Sequence, residues 1–113
     1  MDFEKTVART TLVEGGKIVV EVGGHSILLC RLQGEVLAVQ NRCTHAGSRL
    51  ESGLVEEGSI RCPLHGVRFD LRSGKCLNVR LGCAPLRCFN TRETGEYIEV
   101  EVQVEVEVAE RQP

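Results

Sequence analysis

The chain has 113 residues, which fits one small domain and leaves no room for a second, catalytic domain. Its net charge of −2 argues against a general nucleic-acid-binding protein. No stretch approaches the roughly eighteen apolar residues of a membrane span, and no basic and apolar leader opens the chain, so we expect a soluble cytoplasmic protein. Six cysteines in that compartment are more often metal ligands or reduced thiols than a disulfide framework.

The predicted elements are short strands separated by glycine-containing turns. Residues 17–22 are rich in β-branched side chains, and Gly23-Gly24 is a two-residue hairpin turn into the next strand. No stretch shows a helical period over three turns. In chain order, strands are predicted at residues 3–8, 17–22, 26–32, 36–39, 54–55, 59–61, 67–70, 86–90 and 97–108. Strands at this spacing indicate an all-β antiparallel sandwich or barrel.

The last predicted strand, residues 97–108, alternates strictly between two kinds of side chain. Ile98, Val100, Val102 and three further valines lie on one face, and mostly glutamates lie on the other. Period-two alternation places the apolar face on a core and the glutamate face in water. The strand is long, so we expect its end to project or to pair with another chain.

The most informative pattern is Cys43-Thr44-His45, followed after sixteen residues by Cys62-Pro63-Leu64-His65. Two iron atoms bridged by two sulfides have four terminal ligand positions, which two Cys and two His fill. Cys2His2 also suits tetrahedral zinc, but zinc motifs usually group Cys with Cys and His with His, whereas each half here is mixed. The candidate ligands are therefore Cys43, His45, Cys62 and His65.

The residues around these ligands extend the pattern. Gly47 follows the first pair, and residues 66–70, Gly-Val-Arg-Phe-Asp, follow the second. Residues 82–85, Gly-Cys-Ala-Pro, are similar to the Gly-Pro-Ala-Pro loop that covers the cluster in Rieske-type [2Fe-2S] proteins, except that Cys83 replaces the first Pro. Over residues 12–108 the chain resembles this family.

The resemblance implies a fold, a cofactor and a division of the chain. It implies the Rieske iron–sulfur fold in a single domain of residues 1–113, with one [2Fe-2S] cluster. The base, an antiparallel β-sandwich or barrel, comprises residues 1–40 and 87–113, and a small inserted β cluster-binding subdomain spans about residues 41–86. Cys43 and Cys62 would hold one iron, and His45 and His65 would hold the other and lie nearest the surface.

Departures from the family pattern indicate the reduction potential. High-potential members have two further Cys linking the loops, where this chain has Ser48 and Leu64. They also have a Ser and a Tyr after the second ligand pair, where this chain has Val67 and Phe69. Hydrogen bonds to the sulfurs stabilise the added electron, so their loss predicts a potential at the low end, on the order of −150 mV.

The scarcity of histidine restricts the function. An oxygenase subunit needs a second, mononuclear iron held by two His and a carboxylate, and beyond His45 and His65 only His25 remains. The chain also has no flavin or nicotinamide motif. In size and motif style the chain is similar to the soluble ferredoxins that serve bacterial aromatic-ring oxygenases. This resemblance implies a non-enzymatic, monomeric one-electron carrier, a Rieske ferredoxin that passes electrons from a flavoprotein reductase to a terminal oxygenase. The alternatives are the small subunit of an assimilatory nitrite reductase and a zinc-stabilised binding module.

Charge is unevenly distributed along the chain. Residues 41–90 hold eight basic and four acidic side chains, a surplus of four positive charges, while the other six basic and twelve acidic residues give a surplus of six negative charges. Such a layout can orient a redox partner. Arg42, Arg49 and Arg68 are candidates for favouring an acidic partner.

The remaining cysteines and His25 have ordinary structural interpretations. Cys30, Cys76, Cys83 and Cys88 are expected to be small buried or partly exposed thiols. The sequence leaves open whether two of the last three form a disulfide. His25 stands beside the Gly23-Gly24 turn, so we expect it to be an exposed turn residue.

Overall fold

The computed structural model describes residues 2–45, 47–64, 66–78 and 83–102. These residues form ten β-strands and one short 3-10 helix, Arg9–Thr11. No helix in the described part of the chain is long and apolar enough to cross a membrane. The predicted all-β class is confirmed.

The strands form three antiparallel sheets. Their bounds are β1 Asp2–Ala8, β2 Lys17–Val22, β3 His25–Leu32, β4 Glu35–Gln40, β5 Leu54–Glu56, β6 Ser59–Arg61, β7 Arg68–Asp70, β8 Cys88–Phe89, β9 Thr91–Thr94 and β10 Tyr97–Val102. The sheets have the orders β1-β10-β9, β2-β3-β4-β8 and β5-β6-β7. The sequence did not predict β9, and residues 103–108 of the predicted last strand lie outside the described residues.

Two-residue turns set the register of the long hairpins. Gly23 and Gly24 have φ of 56° and 82°, and they join β2 to β3 with Val22 paired to His25. Gln33 and Gly34 have φ of 52° and 78° between β3 and β4. Positive φ at both central residues is the hairpin geometry that matches the twist of the strands.

β3 contributes to two hydrophobic cores because both of its faces are covered. Ile27 and Leu29 belong to the first core, which also includes Ile98 and Val100. This core lies between the two larger sheets, β2-β3-β4-β8 and β1-β10-β9. The alternate residues of β3 enter the second core, which lies against the β5-β6-β7 sheet. The two larger sheets thus form the predicted sandwich base, and β3 also supports the segment that carries the candidate ligands.

The second core contains both ligand cysteines. It is formed by buried side chains from β3, β4, the small sheet and the loops around it, namely Leu28, Cys30, Val39, Cys43, Leu50, Ile60, Cys62, Val67, Phe69, Leu71 and Leu86. Val67 and Phe69, at the positions where high-potential members are expected to have Ser and Tyr, are both fully buried. These two positions serve packing in this chain.

One face of β10 differs from the prediction. Ile98, Val100 and Val102 are buried as expected, but Glu99, predicted to lie in water, is only 6% exposed. β10 is the central strand of its sheet, so Glu99 lies between two cross-strand partners, Lys5 in β1 and Arg92 in β9. Glu99 accepts a hydrogen bond at 2.6 Å from Nε of Arg92, so its charge is compensated.

The expectation for His25 was also wrong. The turn consists of Gly23 and Gly24 alone, so His25 is the first residue of β3. Its ring is half-buried and lies 5.7 Å from the ring of Phe89, centroid to centroid. His25 is therefore a half-buried strand residue and not an exposed turn residue.

Candidate metal centre

Cys43 and Cys62 begin two loops with the same backbone hydrogen bonds. In the first ligand loop, residues 43–48, Cys43 N–H donates to the carbonyl of Ser48 at 2.8 Å, and the carbonyl of Cys43 accepts from the N–H of Gly47 at 2.8 Å. In the second ligand loop, residues 62–67, the two corresponding bonds of Cys62 measure 2.7 and 2.9 Å. The two cysteines therefore have the same pattern of main-chain hydrogen bonds.

Glycine makes this loop geometry accessible. Gly47 and Gly66 hold the same position in the two ligand loops, four residues after the cysteine, and have φ of 74° and 75°. L-residues other than glycine rarely adopt such a φ. A Cβ at either position would meet nothing within 4 Å, so the requirement comes from the backbone conformation and not from a neighbouring atom.

A buried asparagine closes the first ligand loop. The side chain of Asn41 is 3% exposed, and its Oδ1 accepts the N–H of Leu50 at 3.0 Å. Its Nδ2 donates to Glu51 Oε1 at 2.8 Å and to Ser26 Oγ at 3.2 Å. Lys17 in β2 adds bonds from Nζ to the carbonyls of Glu51 and Gly53. These contacts attach the end of the first ligand loop to the base.

Strand pairing closes the second ligand loop. The loop joins β6 to β7, where Arg61 pairs with Arg68. On the outer side of β7, Asn78 Oδ1 accepts the N–H of Arg68 at 2.8 Å. The second ligand loop is therefore a hairpin loop whose position is set mainly by main-chain bonds.

A third segment, the covering loop of residues 83–86, contacts the first ligand loop and the turn that follows β7. Thr44 Oγ1 in the first ligand loop donates to the carbonyl of Ala84 at 2.5 Å. The N–H of Leu86 donates to the carbonyl of Gly74 at 2.7 Å. A Cβ on Gly74 would lie 2.2 Å from the carbonyl oxygen of Leu86, so the two backbones pack in direct contact. Ala84, which belongs to the sequence similar to the family's loop, thus contacts the first ligand loop.

The described ligand residues suit a cluster with one buried and one accessible side. Cys43 and Cys62 are each 1% exposed and share one core, whereas His45 is exposed. The hydroxyl of Ser48 lies 3.2 Å from Sγ of Cys62 and thus links the two ligand loops. His65 lies outside the described residues. Two sheltered thiols, a surface imidazole and glycine-bearing loops fit the donor set of a [2Fe-2S] centre with mixed ligands.

The other cysteines are thiols, as expected. Burial raises the pKa of Cys30 to about 11, so this thiol stays protonated inside the second core. A hydrogen bond with the Cys76 thiol, together with partial desolvation, raises the pKa of Cys83 to about 11. Cys88 is exposed.

The three candidate docking arginines differ in their surroundings. Arg42 is exposed. Arg49 forms an ion pair with Glu51 at 2.7 Å. Arg68 is half-buried, with Nη2 at 3.3 Å from the hydroxyl of Ser59, and so is poorly placed to contact a partner.

Comparison with known proteins agrees with this geometry. The Rieske [2Fe-2S] domain model matches residues 4–105. The ferredoxin component of the naphthalene 1,2-dioxygenase system of Pseudomonas putida is 39% identical over 82 residues, which are 73% of this chain and 74% of that protein. The biphenyl 2,3-dioxygenase ferredoxin component of Rhodococcus jostii is 32% identical over 103 residues, 91% of this chain and 95% of the relative. The solved ferredoxin of carbazole 1,9a-dioxygenase from Nocardioides aromaticivorans has a TM-score of 0.83 and 28% identity, covering 91% of this chain and 100% of its own.

The chain therefore belongs to the Rieske [2Fe-2S] family. Within that family it is similar, over most of its length, to proteins named as ferredoxin components of oxygenase systems. The predictions of one [2Fe-2S] cluster and of an electron-transfer role, in place of a catalytic one, are confirmed.

Proposed function

We propose that Cys43, His45, Cys62 and His65 hold the cluster, and that the chain carries single electrons from a flavoprotein reductase to a terminal oxygenase. The matching geometry of the two ligand loops, with both cysteines buried against one core, carries this proposal. We further propose that residues 41–86 act as the cluster-binding subdomain on a base of residues 1–40 and 87–113. The separate β5-β6-β7 sheet, which packs on the base through the second core, supports that division.

The surroundings of the ligands favour transfer of one electron at a surface. A [2Fe-2S] cluster supplies a one-electron couple when bound. Two thiolates and two neutral imidazoles give the oxidised centre no net charge, which makes reduction easier than with four thiolates. The core around Cys43 and Cys62 excludes water from the sulfur ligands, and His45 stands at the surface where a partner can approach.

Exposed apolar side chains of the second ligand loop and of the covering loop form the proposed contact surface for the oxygenase. Leu64, which precedes the ligand position 65, is 60% exposed, and Pro63, Ala84 and Pro85 are exposed as well. Redox encounters use small interfaces, below about 1,200 Å² in total, so a few such side chains suffice. Docking there would bring the imidazole edge of the centre close to the acceptor.

Replacing Leu64 by Ser tests this surface. We expect the second-order rate of electron transfer to an aromatic-ring dioxygenase to fall by about fivefold to tenfold, because an anchor at the centre of a small interface is lost. Val13→Ser is the matched control, since Val13 is 65% exposed but lies on the base. Stopped-flow oxidation of the reduced protein measures both rates. Equal rates for the two variants would refute the docking surface.

Charge at Arg42 tests electrostatic steering. Arg42→Glu is expected to slow electron delivery at low ionic strength and to matter less above about 0.3 M salt, because screening shortens the reach of exposed charges. Arg49→Glu should have a smaller effect, since its charge is already paired with Glu51. The rates are followed across a salt series. A slowing that does not depend on salt would contradict steering.

Spectroscopy tests the ligand proposal directly. Absorption and low-temperature EPR spectra are recorded before and after dithionite, followed by a potential titration. A red-brown protein with a rhombic signal, average g below the free-electron value and a midpoint at the low end of the range would support the carrier. Cys43→Ala, Cys62→Ala and the two His→Ala variants should each lose that signal, while His25→Ala should keep it. A colourless protein containing zinc would overturn the proposal.

We also propose that the chain acts as a monomer in the cytoplasm, meeting its reductase and its oxygenase transiently. Transient contact is what a carrier requires, because it must leave one partner before it meets the next. A fixed subunit of a nitrite reductase would instead co-purify with its enzyme. Size-exclusion chromatography of the cluster-loaded protein, alone and mixed with an oxygenase or with a nitrite reductase, distinguishes the two arrangements, because only a fixed subunit elutes with its enzyme.

A further inference from the structure

We infer that Ser48 is a positioning residue for electron transfer, whose hydroxyl donates a hydrogen bond to the thiolate of Cys62 and raises the reduction potential of the centre. This inference rests on the proposed function, because it requires Cys62 to be a cluster ligand. The inference is based on the distance of 3.2 Å between Ser48 Oγ and Cys62 Sγ.

The chemistry fixes the direction of this hydrogen bond. In a thiol form either atom can donate, but a metal-bound cysteine is a thiolate and has only lone pairs to offer. The serine hydroxyl must then be the donor. A hydrogen bond to a charged acceptor is about twice as strong as one between neutral groups.

The backbone holds Ser48 in place for this contact. Its carbonyl accepts the N–H of Cys43 at 2.8 Å, which is one of the two bonds that define the first ligand loop. The side chain therefore leaves a fixed point in the first ligand loop and reaches the cysteine of the second. Ser48 is half-buried, and Cys62 is 1% exposed, so little water competes for the sulfur.

The contact changes the potential because it favours the more negative state. Adding one electron makes the centre more negative, and a donor aimed at a ligand sulfur stabilises that state more than the oxidised one. Val67 and Phe69 supply no hydroxyl, so Ser48 takes a role that other positions have in high-potential members. The donor reaches Cys62 from the opposite loop, at a position where those members have a cysteine.

A graded series at residue 48 tests the inference. The midpoint potential is expected to fall in the order Ser, Cys, Ala, because a thiol is a weaker donor than a hydroxyl and a methyl group donates nothing. For Ser48→Ala we expect the equilibrium constant for reduction to fall by about threefold to tenfold, where tenfold corresponds to 59 mV in a one-electron couple. Ser48→Thr keeps a hydroxyl and should stay near the parent value.

Controls separate this inference from the proposed function. Ser73→Ala removes a hydroxyl that donates to Asp70 and not to a cysteine, so it should leave the potential unchanged. Fe–S stretching frequencies are compared in H2O and D2O by resonance Raman, and the isotope shift of the parent should shrink in Ser48→Ala and persist in Ser48→Thr. If Ser48→Ala does not load, the other two variants still test the donor, because Ser48→Cys should have a lower midpoint than the parent and Ser48→Thr should not.

Two outcomes are decisive. A loaded Ser48→Ala protein with an unchanged midpoint and an unchanged isotope shift overturns the role of Ser48 and leaves the ligand proposal intact. A parent protein without a reducible iron–sulfur signal, or a Cys62→Ala variant that keeps the parent spectrum, overturns the ligand proposal itself.

Discussion

The two ligand loops have the same backbone hydrogen bonds, but different structures flank them. The second ligand loop joins two paired strands, so β6 and β7 fix both of its ends. The first follows β4 and meets no returning strand; instead the side chain of Asn41 accepts the N–H of Leu50. The Cys-to-Gly spacing therefore sets the local shape of each loop. The position of the loop in the molecule is set by main-chain strand pairing in one case and by a side-chain hydrogen bond in the other.

Removing the side chain that closes the first ligand loop should have the largest effect. Asn41→Ala leaves the N–H of Leu50 without its acceptor inside the protein, at a cost of about 3 kcal/mol in the free energy of unfolding. Asn78→Ala, the counterpart beside the second ligand loop, should cost about 1 kcal/mol because Asn78 is only half-buried and strand pairing remains. Urea unfolding of the cluster-loaded variants measures both. Equal losses would show that the second ligand loop also depends on a side chain.

Changing the glycines should affect the two ligand loops equally. Gly47→Ala and Gly66→Ala each place a side chain at a φ near 75°, at a cost of about 1–2 kcal/mol for a left-handed residue. We expect both variants to lose cluster faster on incubation with a chelator, followed by visible absorbance. Gly34→Ala is the matched control, since it has φ of 78° and open space but lies in the β3–β4 turn. If the control loses cluster as fast, the effect is one of general stability.

Acid should reveal the smallest difference. Hydrogen bonds from the side chains of Asn41 and Arg49, the former having the larger effect, lower the pKa of Glu51. The pKa of Asp70 is lowered mainly by a hydrogen bond from the backbone N–H of Ser73. The pKa of each carboxyl is lower in the folded protein than in the unfolded chain, so the native state binds fewer protons. The stability that each carboxylate contributes is therefore present above the ordinary carboxyl pKa and is lost as pH falls through the folded pKa. Glu51→Gln and Asp70→Asn should each flatten the fall in stability below about pH 4.

Thermal melts across an acid series measure that effect. Glu51 is exposed, so solvent screens its charge and the change should be slight. Asp70 also accepts three hydrogen bonds within its turn and should give the clearer result. A variant pair with the same acid slope as the parent would mean that neither carboxylate stabilises its loop through its charge.

The predictable parts of this fold were those with local signals. Alternating side chains and Gly-Gly or Gln-Gly turns located most strands of the base. β9 was missed because Thr91-Arg92-Glu93-Thr94 has no apolar alternation, and it is a strand only because β10 pairs with it. Glu99 was placed in water because its burial depends on Arg92, seven residues away in sequence and opposite in the sheet.

In the candidate site, too, the features with local sequence signals were predictable and those that depend on distant residues were not. Ligand spacing and the following glycines are contiguous in sequence, and they were sufficient to propose the ligand set. The supporting polar residues were not predicted: Asn41 acts on Leu50, and Ser48 on Cys62, so their roles appear only once the chain has turned back. An isolated Asn at the end of a predicted strand, just before the first ligand, was the one local signal for such a support.

The burial of both faces of β3 has a consequence for how the protein unfolds. Ile27 and Leu29 on one side, and Leu28 and Cys30 on the other, are all fully inaccessible to solvent. Disrupting either core would remove the packing on one face of this strand. Base and cluster region are thus expected to unfold as one cooperative unit, in which the amides of β3 exchange with deuterium only through global opening.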